Sequence, residues 1–176
     1  PNNNLTRGHI SAFLARVMKY AKNNKTSKEM KVFFIDVGQR DSTFIQSPNG
    51  KTMLIDGGTK EAGKTVVAFL QSLNVKKLDY VVATHPDADH IGGLIPVLEN
   101  FSVGEFMNSG KVHTSATYEQ LLRVIDEQNI AYSEPKTGDL INFDSALKTQ
   151  VLHADANAED NNDASIVLKV TYNKVP

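Results

Sequence analysis

The chain has 176 residues, and its 19 Lys and Arg stand against 20 Asp and Glu, so a formal net charge of −1 excludes a protein drawn onto nucleic acid by bulk charge. With 40% hydrophobic and 22% charged residues the composition is globular rather than disordered, and the length suits one domain or one plus part of another. No apolar run approaches the ~20 residues of a membrane-spanning helix, and the absence of cysteine leaves any metal to nitrogen and oxygen ligands.

The near-neutral total is a cancellation. Arg7, Arg16, Lys19, Lys22, Lys25, Lys28 and Lys31 against the single Glu29 give residues 1–31 a net charge of +6, which leaves −7 on the remaining 145 residues. The basic segment carries Ile10, Phe13, Leu14, Val17, Met18 and Ala21 at i, i+3, i+4, i+7, i+8 and i+11, one stripe of an amphipathic helix. The chain therefore divides into a basic helical arm over residues 1–30 and a body over residues 31–176. The stripe is expected either to pack on the body or on another part of a larger chain, or to lie on a membrane surface or on phosphates.

Val32 to Val37 are rich in β-branched and aromatic residues and predict a buried strand, closed by a turn at Gly38-Gln39-Arg40-Asp41. Strands at Ser42 to Gln46 and Lys51 to Asp56 flank Ser47-Pro48-Asn49-Gly50, whose Asn-Gly pair signals a hairpin. A helix with Val66, Phe69, Leu70 and Leu73 on one face comes next, then a strand from Tyr80 to Thr84 and a second helix starting near Ile91. After a short strand at Val103 to Met107, Ser115 is placed to cap a third helix whose inner side carries Tyr118, Leu121, Leu122 and Ile125. Strands at Ile130 to Tyr132, Leu140 to Phe143, Leu147 to Leu152 and Ile166 to Tyr172 follow. Three strands, then strands and helices in alternation, then strands again indicate an α/β (α+β) fold with helices layered on a mixed sheet.

The densest set of metal-binding side chains is Thr84-His85-Pro86-Asp87-Ala88-Asp89-His90-Ile91-Gly92-Gly93, directly after an apolar strand. In extended or turn geometry His85 and Asp87 point to one side while Asp89 and His90 diverge, so one short loop can serve two neighbouring ions. Two metals ~3.5 to 4 Å apart clamp the attacking and leaving oxygens of a hydrolytic displacement, and imidazole with carboxylate suits zinc, manganese or iron better than calcium. The bland alternative is a solvated acidic turn with His85 and His90 as ordinary surface residues. A calcium loop starting at Asp87 fails, because Ile91 falls on a ligand position and Leu98 stands where a Glu is required. A second candidate is Gly58-Thr59-Lys60-Glu61-Ala62-Gly63-Lys64-Thr65, a formal phosphate-binding loop between a strand and a helix. Against a nucleotide site, Glu61 puts a carboxylate among amides meant for phosphate, and no strand ending in a magnesium-binding Asp follows. The other reading is a glycine-rich loop capping a helix.

His85-Pro86-Asp87-Ala88-Asp89-His90 resembles the signature loop of the metallo-β-lactamase superfamily, in the variant where Asp replaces the second His of His-x-His-x-Asp-His. Together with Phe34-Ile35-Asp36-Val37-Gly38-Gln39, Asp41-Ser42, Leu54-Ile55-Asp56-Gly57-Gly58 and Asn161-Asn162-Asp163-Ala164-Ser165, it resembles the C-terminal hydrolase domain of the ComEC competence proteins and their small soluble relatives. The likeness runs from Lys31 to the end of the sequence. It implies an αββα sandwich, one or two divalent ions (zinc or manganese), and hydrolysis of DNA or another phosphodiester in DNA uptake. It also implies an extracytoplasmic or membrane-associated location for a ComEC-type chain.

Carried over position by position, the resemblance gives His85 and Asp87 to a first metal and Asp89 and His90 to a second, with Asp56 behind them fixing the loop. Asp89 or Asp87 would orient a water, acidified by the ions, for attack on phosphorus or a carbonyl. Where the wider superfamily places a further His ligand, this chain has Asn161-Asn162, and His153 is the candidate substitute. Arg40 stands where the family segment carries its second glycine; it could block close backbone approach, bind a phosphate oxygen, or simply fill a turn. The resemblance also places a later strand ending in Thr-Gly-Asp, whose carboxylate bridges the metals, beyond Lys174-Val175-Pro176. The chain is therefore expected to be truncated at its C-terminus, and a catalytically incomplete metal-binding module is the alternative function.

Overall fold

The computed structural model of the chain describes residues 29–173. The amphipathic helix expected at residues 10–21, and with it nearly all of the basic arm, lies outside the described residues. The body opens with an antiparallel meander of β1 (Lys31–Phe34), β2 (Thr43–Gln46) and β3 (Thr52–Ile55). Its hairpin turns at the expected Asn49-Gly50, where Gly50 takes φ +85° and closes on Ser47 O at 3.0 Å. α1 (Gly63–Ser72), β4 (Lys77–Val82), α2 (Ala88–Ile91), α3 (Leu94–Asn100), β5 (Ser102–Met107), α4 (Ala116–Glu127) and β6 (Ala131–Ser133) follow. Strands β3 to β6 run parallel and complete a sheet of order β1-β2-β3-β4-β5-β6. A second, antiparallel sheet holds β7 (Leu140–Ile141), β8 (Leu147–His153) and β9 (Val167–Tyr172).

The central strands of the first sheet are buried on both faces, which is why they read as apolar runs. Leu54, Val81 and Phe106 face the helices and meet Val66, Leu70, Leu98 and Leu121. Their neighbours Met53, Val82 and Met107 face the second sheet and meet Phe143, Val151 and Ile166. Every helix among the described residues packs into the first of these two cores, so the described residues make a helix–sheet–sheet stack, three layers of the expected αββα sandwich. Asp144, before β8, ties the two sheets, accepting from Ser47 Oγ at 2.5 Å and Asn49 Nδ2 at 2.7 Å.

Two boundaries differ from expectation near the site. β1 ends at Phe34, three residues early, because the chain peels away through Gly38 at φ +85°. The helix expected near Ile91 begins at Ala88 and is broken into α2 and α3 at Gly92-Gly93. Asp87 O already accepts the amides of His90 and Ile91, so half of the metal-loop sequence is helical.

Candidate functional site

Because β3 to β6 are parallel, their C-terminal ends share one edge of the sheet, and β3 and β4 deliver Asp56 and Thr84-His85 to it side by side. Asp56 donates its amide to Val82 O at 2.9 Å and then turns with φ +55°, a left-handed conformation that Asp tolerates better than most residues. Its carboxylate is buried, with the residue 3% exposed, and faces the loop after β4. Oδ1 accepts the Thr84 amide at 2.8 Å, while Oδ2 accepts the Thr84 hydroxyl at 2.7 Å and His90 Nδ1 at 2.9 Å.

These bonds set the tautomers of both histidines. Thr84 gives its hydroxyl proton to Asp56, so it can only accept from His85 Nδ1 at 3.0 Å. A carboxylate oxygen likewise only accepts from His90 Nδ1. In each neutral ring Nε2 is then the nitrogen with the free lone pair, the arrangement that metal-binding histidines take when a carboxylate stands behind them. The two rings lie 4.0 Å apart, centroid to centroid. Burial, and then the neighbouring His90, push His85 below the ordinary imidazole value. The hydrogen bond to Asp56 lifts His90 above it.

The donor set fits a divalent ion in its chemistry. His85 Nε2 faces Asp87 Oδ2 at 3.5 Å, lone pair against lone pair once His85 is neutral. Two ligand atoms ~2.1 Å from one tetrahedral ion stand about 3.4 Å apart, so this pair is spaced as a shared ion requires. Among the described residues, no group of three or more His, Cys, Asp or Glu side chains is arranged to hold an ion. Two of the remaining carboxylate oxygens have other partners: Asp87 Oδ1 accepts Asn161 Nδ2 at 2.7 Å, and Asp89 Oδ2 is paired with Arg40 Nε. On α2, Asp89 and His90 are successive helical positions about 100° apart. His90 therefore turns back to Asp56 while Asp89 turns out to Arg40. His85, Asp87, Asp89 and His90 are the residues that would hold an ion, with Asn161 or Arg40 yielding.

Backbone contact fixes the height of the loop. Gly57 N–H bonds His90 O and Gly93 N–H bonds Gly58 O, both at 2.9 Å. A Cβ on Gly93 would stand 1.9 Å from Gly57 O, so only glycine permits this approach. The phosphate-loop spelling at 58–65 is absorbed by the same packing. Its own carboxylate, Glu61, accepts its own amide and the Thr59 hydroxyl, which hold it below the usual range, and Lys60 reaches Gln120 at 3.1 Å. One amide and one hydroxyl of the loop are thus taken by its own carboxylate, while the Ala62 and Gly63 amides bond Thr59 Oγ1 and Lys60 O.

His153 ends β8 with Nε2 against the Asp163 carbonyl at 2.8 Å, in a cleft of 520 Å³ also lined by Asp155, Glu159, Asn162 and Ser165. Ser165 connects this cleft to the candidate site, its Oγ 3.3 Å from His85 Nδ1. A Thr-Gly-Asp does occur at 137–139, but in the turn before β7, where Asp139 Oδ2 accepts the Lys136 amide at 2.7 Å. The hydroxyls of Thr84 and Ser165 were not legible as site groups, since single Ser and Thr residues beside turns carry no distinguishing pattern.

Residues 35–161 match the family model described as the metallo-beta-lactamase superfamily. ComE operon protein 3 of Bacillus subtilis (strain 168) is 29% identical over 160 residues, 81% of this chain and 20% of that protein. Competence protein ComA of Neisseria gonorrhoeae is 33% identical over 98 residues, 55% of this chain and 13% of that protein. The chain spans a fifth or less of the length of these relatives. Among solved structures, the Rm3 metallo-beta-lactamase superposes with a TM-score of 0.59 at 15% identity, over 82% of this chain and 55% of that one. The chemotaxis sensor ODP, in a peroxy diiron species, gives 0.56 at 16% identity, over 82% and 57%. At these identities the structural likeness carries the fold alone.

Proposed function

The chain belongs to the metallo-β-lactamase superfamily, and from that membership we propose that it is a hydrolase working with one or two divalent ions. Members of the superfamily are generally metal-dependent hydrolases, and zinc or manganese suits a set of imidazole and carboxylate donors. The finer reading is a nuclease that cleaves DNA or another phosphodiester during DNA uptake. What supports it is the competence naming of the two relatives. The same naming supports an extracytoplasmic or membrane-associated location; among the described residues no helix is long and apolar enough to cross a membrane.

The observation that carries the reading is the double use of Asp56, which orients both His85 and His90 with Nε2 free. A bound divalent ion would supply Lewis acidity and lower the pKa of water toward neutrality. The chain's own side chains divide the remaining work. Asp56 stays behind the rings and holds them. Asp87 and Asp89, each about one-third exposed, stand at the open side of the loop, where they can orient a water and accept its proton. Thr84 and Ser165 keep the His85 Nδ1 proton in place.

The test is cleavage of a labelled DNA oligonucleotide by chelator-treated protein, with manganese or zinc added back. Cleavage restored by the metal, and reduced about 100-fold or more in His85→Ala and Asp89→Ala, is expected. Cleavage indifferent to chelator or to both substitutions would refute the proposal. The second reading, a metal-binding module without catalysis, is favoured by the engagement of Asp87 and Asp89 with Asn161 and Arg40. Metal uptake without cleavage would establish it.

A further inference from the structure

We propose that Arg40 is a resident cation on the Asp89 side of the loop, so that the chain binds one divalent ion readily and a second only by displacing the guanidinium. This rests on the metal-binding reading of residues 85–90 and concerns how many ions the site takes.

The placement of Arg40 follows from an anchored loop between β1 and β2. Ile35 N–H pairs with Ser42 O at 2.8 Å, and Ser42 Oγ donates to the Asp56 carbonyl at 2.9 Å. The residue that holds His90 thus also holds the base of the loop carrying Arg40. Gly38 turns the chain with φ +85°, its amide on Asp36 Oδ1 at 3.2 Å, and Arg40 Nη1 donates to Gln39 O at 3.3 Å. The guanidinium is delivered to Asp89 Oδ2 through Nε. Both partners are only partly exposed, at 44% and 33% of their side chains.

Three physical points make this a competition. A guanidinium is not deprotonated in proteins, so it does not leave the carboxylate by losing its own proton. A divalent ion approaching Asp89 meets both an occupied oxygen and a like charge within a few ångströms. Among the described residues no Arg or Lys is paired with Asp87, which faces His85 Nε2 and the neutral amide of Asn161. Metal binding at the two sides is therefore unequal, with the His85–Asp87 side the easier to fill.

Calorimetric titration of metal-free protein with Mn²⁺ tests this in wild type, in Arg40→Gly, which opens the position, and in Arg40→Gln, which keeps bulk without charge. Wild type is expected to take one ion, with a second bound more weakly. In both variants the second constant is expected to tighten about tenfold, with the first unchanged within about twofold. Adding Asp89→Asn to Arg40→Gly should cancel the gain. One tight ion with a second constant that is unchanged or weaker in both variants overturns the role of Arg40 alone. No Mn²⁺ bound by any form overturns the metal reading and this inference with it.

Discussion

Asp56 is the residue on which the candidate centre depends, because one buried side chain sets Thr84, His85 and His90 together. Asn in its place keeps the shape and tolerates the left-handed backbone, but it removes the charge that lifts His90 above its ordinary pKa. A raised folded pKa means that the native state holds the His90 proton more tightly than the unfolded chain does. That stabilisation is complete below the unfolded value of about 6.5 and is lost as pH rises through the folded value. Metal-free wild type should therefore exceed Asp56→Asn in stability by about 1–3 kcal/mol at acid pH and by less at alkaline pH, as read by denaturant unfolding on both sides of neutrality. A gap that is constant, or that widens with pH, would show that the Asp56–His90 pair does not act as described. Asp56 was legible as a strand-end residue behind the loop. Its hydroxyl relay through Thr84 to His85 was not, since it depends on a side-chain rotation that spacing does not encode.

At the scale of elements, the position of the loop is set by the glycine pairs 57–58 and 92–93, where the β3–α1 and α2–α3 connections meet backbone to backbone. Gly93→Ala drives a Cβ into Gly57 O and should destabilise the fold by about 3 kcal/mol or more, a loss that Ser115→Ala, the removal of the α4 cap, should not approach. Equal melting shifts for the two would contradict this. Elements with strong local signals were legible: the Asn49-Gly50 hairpin, the Ser115 cap accepting from Tyr118, and the apolar faces of α1 and α4. α2 was missed because a four-residue helix shows no periodicity, and its start is set by Asp87 O accepting the next turn's amides. The pairing of Arg40 with Asp89 was out of reach for a related reason. Arg40 stood out as a departure from the family segment, but its partner is fixed only when the β1–β2 loop folds against α2.

At the scale of the whole molecule, the charge asymmetry acquires a location for its acidic half. Asp56, Asp87 and Asp89 gather at the edge where the parallel strands end, where Asp56 takes the His90 Nδ1 proton in hydrogen bond and Asp89 is paired with Arg40. The helix–sheet–sheet stack serves to bring that edge together, and the superfamily assignment rests on the same segments, since the match over residues 35–161 spans both the Asp56 turn and the His85–His90 loop. Two solved structures of this fold are named for a lactamase and for a diiron sensor, so the fold by itself does not select the chemistry. The ligand set does, and it can be observed without turnover. In a titration of metal-free protein with zinc, followed by ¹⁵N NMR of the imidazoles, the Nε2 resonance of His85 is predicted to shift with the first ion added and that of His90 with the second, weaker one, while those of His113 and His153 stay in place. Unmoved signals from His85 and His90 under saturating zinc would contradict the account at its centre.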